Sequence, residues 1–173
     1  LDRDTSGLVL LAKNPYSSCV LSDAVKDHTI HREYAAIVSG KTDASGTIDL
    51  PIARKDGSTI ERVLDPERGE TAVTHYRTFA YNKNADLSFI RLLLETGRTH
   101  QIRVHMKAIG HPLPGDFLYC PDYRFIDRQP LHSTYLSFSH PVTGEKLEFS
   151  APLPGDMRKL FPNIKDPSGP VFY

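Results

Sequence analysis

Two carboxylates, Asp2 and Asp4, sit in the turn-forming stretch Leu-Asp-Arg-Asp-Thr-Ser-Gly at residues 1–7, directly ahead of the apolar run Leu-Val-Leu-Leu-Ala. Acids on a turn beside a buried segment suit general acid–base or nucleophilic work, because burial sets their protonation and the turn fixes their direction. The plainer reading is a turn in which Asp4 or Thr5 hydrogen-bonds its own backbone. A second stretch with chemical potential spans residues 95–113, where Arg98, Arg103, Lys107, His100, His105 and His111 face only one acid, Glu95. The chain as a whole is neutral, with 21 Lys+Arg and 21 Asp+Glu residues. A neutral total with one basic stretch fits a local anion site better than the wholly basic surface usual in nucleic-acid binders.

Other chemistries find less support. The three histidines match no zinc-ligand spacing, and no cysteine pair assists them, so no metal is expected. Neither dinucleotide nor P-loop glycine motif is present, so no nucleotide cofactor is expected. Ser6 and Ser18 lack a nucleophile-elbow context. Cys19 and Cys120 form no disulfide framework and read as reduced thiols, the usage of a cytoplasmic protein. No apolar stretch approaches the roughly 18 residues of a membrane span, and no signal-peptide pattern opens the chain. A length of 173 residues suits one domain with a sizeable core.

The elements that must position these residues follow from apolar spacing. Residues 7–13, a continuous apolar run after a turn, predict a strand buried on both faces. Pro15 opens a helix in which Val20, Leu21, Ala24 and Val25 recur at helical spacing. Residues 32–40 read as a strand ending at Gly40. Residues 41–70 are short pieces broken by Gly, Pro and Asp, expected to be small, exposed and mobile strands and hairpins. Residues 71–82 and 87–96 are two strands joined by the turn Lys-Asn-Ala-Asp. Residues 99–110 are helical, with Ile102, Met106 and Ile109 on one stripe and His100, Arg103 and Lys107 on a roughly opposite one. That basic stripe is either a solvated face or, with Arg98 at the helix N-terminus, an anion site. A hairpin across residues 131–152 and a short closing helix complete the chain. The fold class is α+β: a mixed, mostly antiparallel central sheet flanked by helices, in one domain.

Three blocks in order, Leu-Asp-Arg-Asp-Thr-Ser-Gly-Leu-Val-Leu-Leu, then Arg-Glu-Tyr-Ala-Ala-Ile-Val-Ser-Gly, then Thr-Gly-Arg-Thr-His-Gln-Ile-Arg-Val-His with a downstream His-Pro-Leu-Pro-Gly-Asp, resemble the RluA/RluD-type pseudouridine synthases. Residues 72–76 and 131–144 also resemble later blocks of that family. The third block points away from the sister family acting on small-subunit ribosomal RNA. In the family an Arg and a preceding strand normally stand before Leu1, and a small RNA-binding domain often precedes them. The resemblance therefore implies that residues 1–173 are the catalytic domain without its N-terminal strand or upstream RNA-binding domain.

The resemblance makes Asp2 the catalytic aspartate, Arg103 the arginine that holds it ionised, and Tyr34 the active-site tyrosine that stacks on the base and assists the final proton removal. It implies uridine isomerisation in a ribosomal or transfer RNA loop, with no cofactor, by a monomer that contacts no membrane. An arginine suits its role because a fixed opposite charge offsets the penalty of burying a carboxylate, and its planar fork pairs with two oxygens at once. Leu94 is expected in an apolar floor under the uracil. Thr5, Ser6 and Gly7 are expected to shape the catalytic turn, and Arg98, His100 and His105 to meet RNA phosphates or support the site. Two other classes remain: a non-catalytic RNA-binding module that keeps the fold, and a hydrolase using Asp2 and Asp4 as a carboxylate pair.

Overall fold

The computed structural model describes residues 1–164 and 169–172. Among these the helices are α1 (Pro15–Lys26), α2 (Gln101–Ala108) and α3 (Gly155–Leu160). The strands are β1 (Ser6–Gly7), β2 (His31–Ser39), β3 (Ser45–Asp49), β4 (Ile52–Arg54), β5 (Arg62–Leu64), β6 (Val73–Asn82), β7 (Leu87–Leu94), β8 (Leu131–Ser139) and β9 (Lys146–Ser150). Seven strands form one sheet in the order β1-β8-β2-β7-β6-β3, with β9 also on β8, while β4 and β5 make a separate hairpin. Only β1–β8 pairs in parallel; the other pairings are antiparallel. The α+β class with a mostly antiparallel sheet is therefore as the sequence implies.

Side-chain alternation along β2 sets up both layers. Tyr34, Ala36 and Val38 join Ile90, Leu92, Ile102 and Met106 on the α2 side. Ala35 and Ile37 join Leu87, Phe89, Met157 and Phe161 on the α3 side. A strand covered on both faces reads as an unbroken apolar run, which is the pattern of residues 34–38. The Ile102–Met106 stripe of α2 faces the core, with Ile109 packed beside it. Helix α1 starts as its sequence directs: Pro15 occupies the first turn, and the Asn14 side chain accepts the Ser17 N–H at 2.8 Å.

Residues 7–13 are not a strand. Only Ser6 and Gly7 pair with β8, and β9 occupies the same edge from Tyr135 onward, so the run beyond Leu8 has no ladder to join. Its apolar residues face two ways: Leu8 and Leu10 pack against Leu21, Leu136 and Phe138, whereas Val9 and Leu11 are 57% and 79% exposed. Residues 41–70 hold the expected small strands, with β4 and β5 as a hairpin, but the stretch is less exposed than expected. β3 joins the main sheet beside β6, and Ile48 and Ile52 are buried.

Helix α2 is tied to the sheet by polar side chains. The Gln101 amide donates to the Val73 carbonyl and Thr74 Oγ1, and its oxygen accepts from Thr96 Oγ1 and the Arg98 N–H. His105 is fully buried: one ring nitrogen faces the Leu50 carbonyl and the other Thr74 Oγ1, each at 2.9 Å. A carbonyl only accepts, so Nε2 carries the proton and Nδ1 receives the Thr74 hydroxyl. Burial holds the imidazole below its ordinary value of 6.5, against the smaller opposing effects of the Leu50 carbonyl and Asp49. As pH falls, the unfolded chain binds this proton first, so the contribution to stability is complete above pH 6.5 and declines below it. In urea titrations, His105→Gln is expected to flatten the loss of stability on acidification below pH 6.5; an unchanged slope would contradict the buried neutral ring.

Candidate active site

The site forms where the N-terminal turn, β2, the end of β7 and the start of α2 meet. A cleft of about 370 Å³ there is lined by Asp2, Thr5, Arg32, Tyr34, Leu94, Arg98, His100, Arg103 and neighbouring residues. Its centre is Arg103, 1% exposed at the side chain, lying between two carboxylates. Its Nε and Nη2 donate to Asp116 Oδ2 and Oδ1 at 2.6 and 2.7 Å, and its Nη1 donates to Asp2 Oδ2 at 3.0 Å. The planar fork is thus fixed by Asp116 on one edge and presents its remaining nitrogen to Asp2. Burial works against the Arg103 charge, but bonds to Asp116 and Asp2 outweigh it and raise the pKa. The guanidinium also lies over the Tyr119 ring, 4.9 Å from its centroid.

The turn carrying Asp2 is strapped from several directions. The Thr5 N–H donates to the Asp2 carbonyl at 3.1 Å. Arg128 Nη1 donates to the Asp4 carbonyl, and Gln129 Nε2 to the Arg3 carbonyl. Gly7 then brings the backbone onto β8 with φ of 108°; a Cβ there would lie 2.2 Å from the Ser133 carbonyl oxygen, so only glycine fits. The side chain of Asp4 turns to exposed Arg3 instead of the cleft.

Tyr34 shares the α2 face of β2 with Ala36 and Val38, which brings its ring to the cleft. Its hydroxyl has no hydrogen-bond partner among the described residues, and burial raises its pKa, with nearby Arg32 opposing. His100 occupies the N-cap of α2 in the left-handed region, with φ of 59°. Its Nδ1 lies 2.9 Å from the Tyr119 hydroxyl, whose oxygen already accepts the Arg62 N–H. In the arrangement where the phenol donates to Nδ1, the imidazole keeps an Nε2–H donor. Burial, then Arg103, lowers the pKa of this ring.

Of the residues singled out from the sequence, Asp2, Thr5, Tyr34, Leu94, Arg98, His100 and Arg103 come together in one cleft. Ser6 and His105 do not. The Ser6 hydroxyl faces His132 Nδ1 at 2.9 Å, and His105 is sealed between Thr74 and Leu50, out of reach of a phosphate. Gly7 shapes the turn through its pairing with β8. The basic stripe of α2 is not a solvated face, since Arg103 is buried and ion-paired while Lys107 is exposed. Asp116, Arg32 and Tyr119 were missed. Asp116 and Arg32 stand in blocks already singled out, but composition and spacing alone assign a glycine-flanked acid and a strand arginine no partner.

The family model described as RNA pseudouridylate synthase matches residues 1–108, and the chain belongs to that family. It is 51% identical over 161 residues to the "Uncharacterized RNA pseudouridine synthase YjbO" of Bacillus subtilis, covering 92% of this chain and 56% of that protein. It is 42% identical over 174 residues to the "Ribosomal large subunit pseudouridine synthase D" of Zymomonas mobilis, covering 93% and 53%. The chain thus spans about half the length of these curated relatives. Among solved structures, "Human RNA Pseudouridylate Synthase Domain Containing 1" superposes with a TM-score of 0.75 at 28% identity, over 88% of this chain and 66% of that one. "Human RNA Pseudouridylate Synthase Domain Containing 4", at 21% identity, shares the fold with a TM-score of 0.71, over 93% and 72%.

Removing Asp116 leaves a buried guanidinium half-paired and frees the Leu118 and Tyr119 N–H groups that its Oδ1 accepts. Asp116→Ala is expected to destabilise the fold by about 3 kcal/mol in chemical denaturation. A loss below about 1 kcal/mol would mean that Arg103 is held by other groups.

Proposed function

We propose that this chain converts uridine in RNA to pseudouridine, with Asp2 acting on the nucleoside, Arg103 holding that carboxylate and Tyr34 stacking on the base. The observation that carries the reading is the 3.0 Å pair between Asp2 and a buried arginine whose other edge is clamped by Asp116. In this reading residues 1–173 are a catalytic domain, and the RNA is ribosomal or transfer RNA; the similarity to the Zymomonas large-subunit synthase supports ribosomal RNA.

The reaction breaks the ribose C1′–N1 bond, turns the uracil and joins C1′ to C5. The C5 proton leaves and N1 ends protonated, so all atoms of the product come from the substrate and its solvent, and the balance needs no cofactor. Asp2 either attacks the sugar or removes a sugar proton, and both routes need an ionised carboxylate near C1′. Arg103 supplies the fixed counter-charge. Leu94 gives an apolar surface for the uracil beside Tyr34, and the Nε2–H of His100 offers a donor to a base or sugar oxygen. Arg32, whose Nε has no hydrogen-bond partner among the described residues, lines the cleft and is suited to a flanking phosphate. Because the base must leave its stack to reach this depth, a loop uridine is favoured over a paired one.

Tritium release from RNA labelled at uridine C5 tests the reading. Release is expected from the parent chain and none from Asp2→Asn; RNA binding without release by the parent would instead mark a binding module. Arg103→Ala should reduce single-turnover release by about 100-fold or more while changing RNA affinity far less, since its role is to orient the aspartate. Tyr34→Phe keeps the ring but loses the hydroxyl, so it should bind RNA normally yet slow tritium release; a normal release rate would remove the phenol from the proton step.

A further inference from the structure

The hairpin of β4 and β5 carries an arrangement that a free protein disfavours. Arg54 and Arg62 are directly opposite in its ladder. Like charges at opposed positions of an antiparallel pair repel. No carboxylate relieves them: among the described residues the Arg62 side chain donates only to the carbonyls of Ile60 and Glu61, and the Arg54 side chain has no hydrogen bond or ion pair. The neighbouring cations are treated differently. Arg68 is paired with Asp56 and Asp65, and Arg98 with Glu70. The positions next along the hairpin, Lys55 and Glu61, also form an ion pair.

The two unrelieved arginines line a groove of about 350 Å³ together with Arg68 and the Arg98–Glu70 pair. Its wall at residues 97–99 is also a wall of the catalytic cleft. Arg62 is anchored rather than free to swing away with its strand, because its N–H donates to Tyr119, which in turn meets His100 in the cleft. Its charge reaches the cleft as well, lowering the pKa of His100 behind the larger effects of burial and Arg103 and against the opposing effect of Asp2.

We propose that Arg54 and Arg62 form a binding site for the phosphate backbone of the RNA substrate, on the strand that leaves the cleft past residues 97–99; this rests on the uridine-isomerase reading above. An anion between the two guanidinium groups converts their repulsion into two charge-assisted contacts. A nucleotide held in the cleft has its neighbours in a continuous chain, and this groove is the open, cationic continuation of the same wall.

The test measures the affinity of an unmodified transcript of large-subunit ribosomal RNA against KCl concentration. It compares Asp2→Asn protein, silenced for turnover, with the same protein also carrying Arg54→Gln and Arg62→Gln. Losing two phosphate contacts is expected to lower the slope of log affinity against log salt by about 1.4 to 1.8. At low salt the dissociation constant is expected to rise roughly tenfold or more. With Asp2 intact, the arginine pair variant should raise KM and leave saturated single-turnover release unchanged. Its melting temperature without RNA should be equal to or above the parent's, which separates a binding role from a folding one.

An unchanged slope, an equal loss in the exposed control Arg158→Gln, or no measurable RNA binding by the parent would overturn the site. Arginine-dependent binding of inorganic phosphate alongside RNA binding indifferent to the arginines would overturn its assignment to RNA. If the parent releases no tritium while the salt slope still depends on Arg54 and Arg62, the isomerase reading falls and the RNA site stands. If tritium is released while the slope is indifferent, the RNA site alone falls.

Discussion

One guanidinium divided between two carboxylates organises this molecule. Arg103 is almost wholly buried, and so is Asp116, which takes two of its nitrogens. Such an ion is tolerable in the interior only where its hydrogen-bonding capacity is met with good geometry. Asp116 meets it on one edge and the Tyr119 ring covers a face, so the last nitrogen is left in a fixed direction for Asp2. The direction of Asp2 is therefore inherited from Asp116 through a rigid planar group. The N-terminal turn itself, strapped by Arg128 and Gln129, has only to deliver the carboxylate to a site already defined.

The rest of the fold serves that pairing by ordinary means. β2 presents Tyr34 to the α2 side and Glu33 to the other, one residue apart. Glu33 pairs there with buried Arg91 and accepts the Val171 and Phe172 N–H groups, so the strand is fixed from its reverse face beside the tyrosine that lines the cleft. Gln101 plays the matching part for the residues 96–98 loop, connecting it to β6 with all its amide capacity engaged. The Gln101 amide placed this way costs little because all of it is satisfied, and such groups specify position better than apolar contacts do.

Much of this was legible in the sequence, for identifiable reasons. The α2 stripe of Ile102 and Met106 and the unbroken run from Tyr34 to Val38 follow from local periodicity, which backbone geometry enforces. The run at residues 7–13 misled because an apolar segment predicts burial but not a pairing partner, and the edge it needed is taken by β9. The joining of Asp2 with Arg103, 101 positions away, lies beyond any local rule. It was reached through the ordered blocks that the chain shares with a family. Asp116 escaped because its partner is an arginine whose neighbours on the helix looked solvent-facing. For the same cause the sequence left open whether His105 meets a phosphate or supports the site from within, since a histidine on a helix reads alike whether it meets solvent or a buried threonine; its burial excludes the first.

The sharing of Arg103 has an electrostatic outcome. Two carboxylates and one guanidinium carry a formal surplus of one negative charge at the floor of the cleft, whereas Arg32 lies toward its rim, Arg62 lines the adjoining groove, and Arg98 between them is paired with Glu70. Under the uridine-isomerase reading proposed above, charge sorted by depth in this way would hold the phosphates of a strand near the rim and leave the uncharged base as the part that descends to the acid.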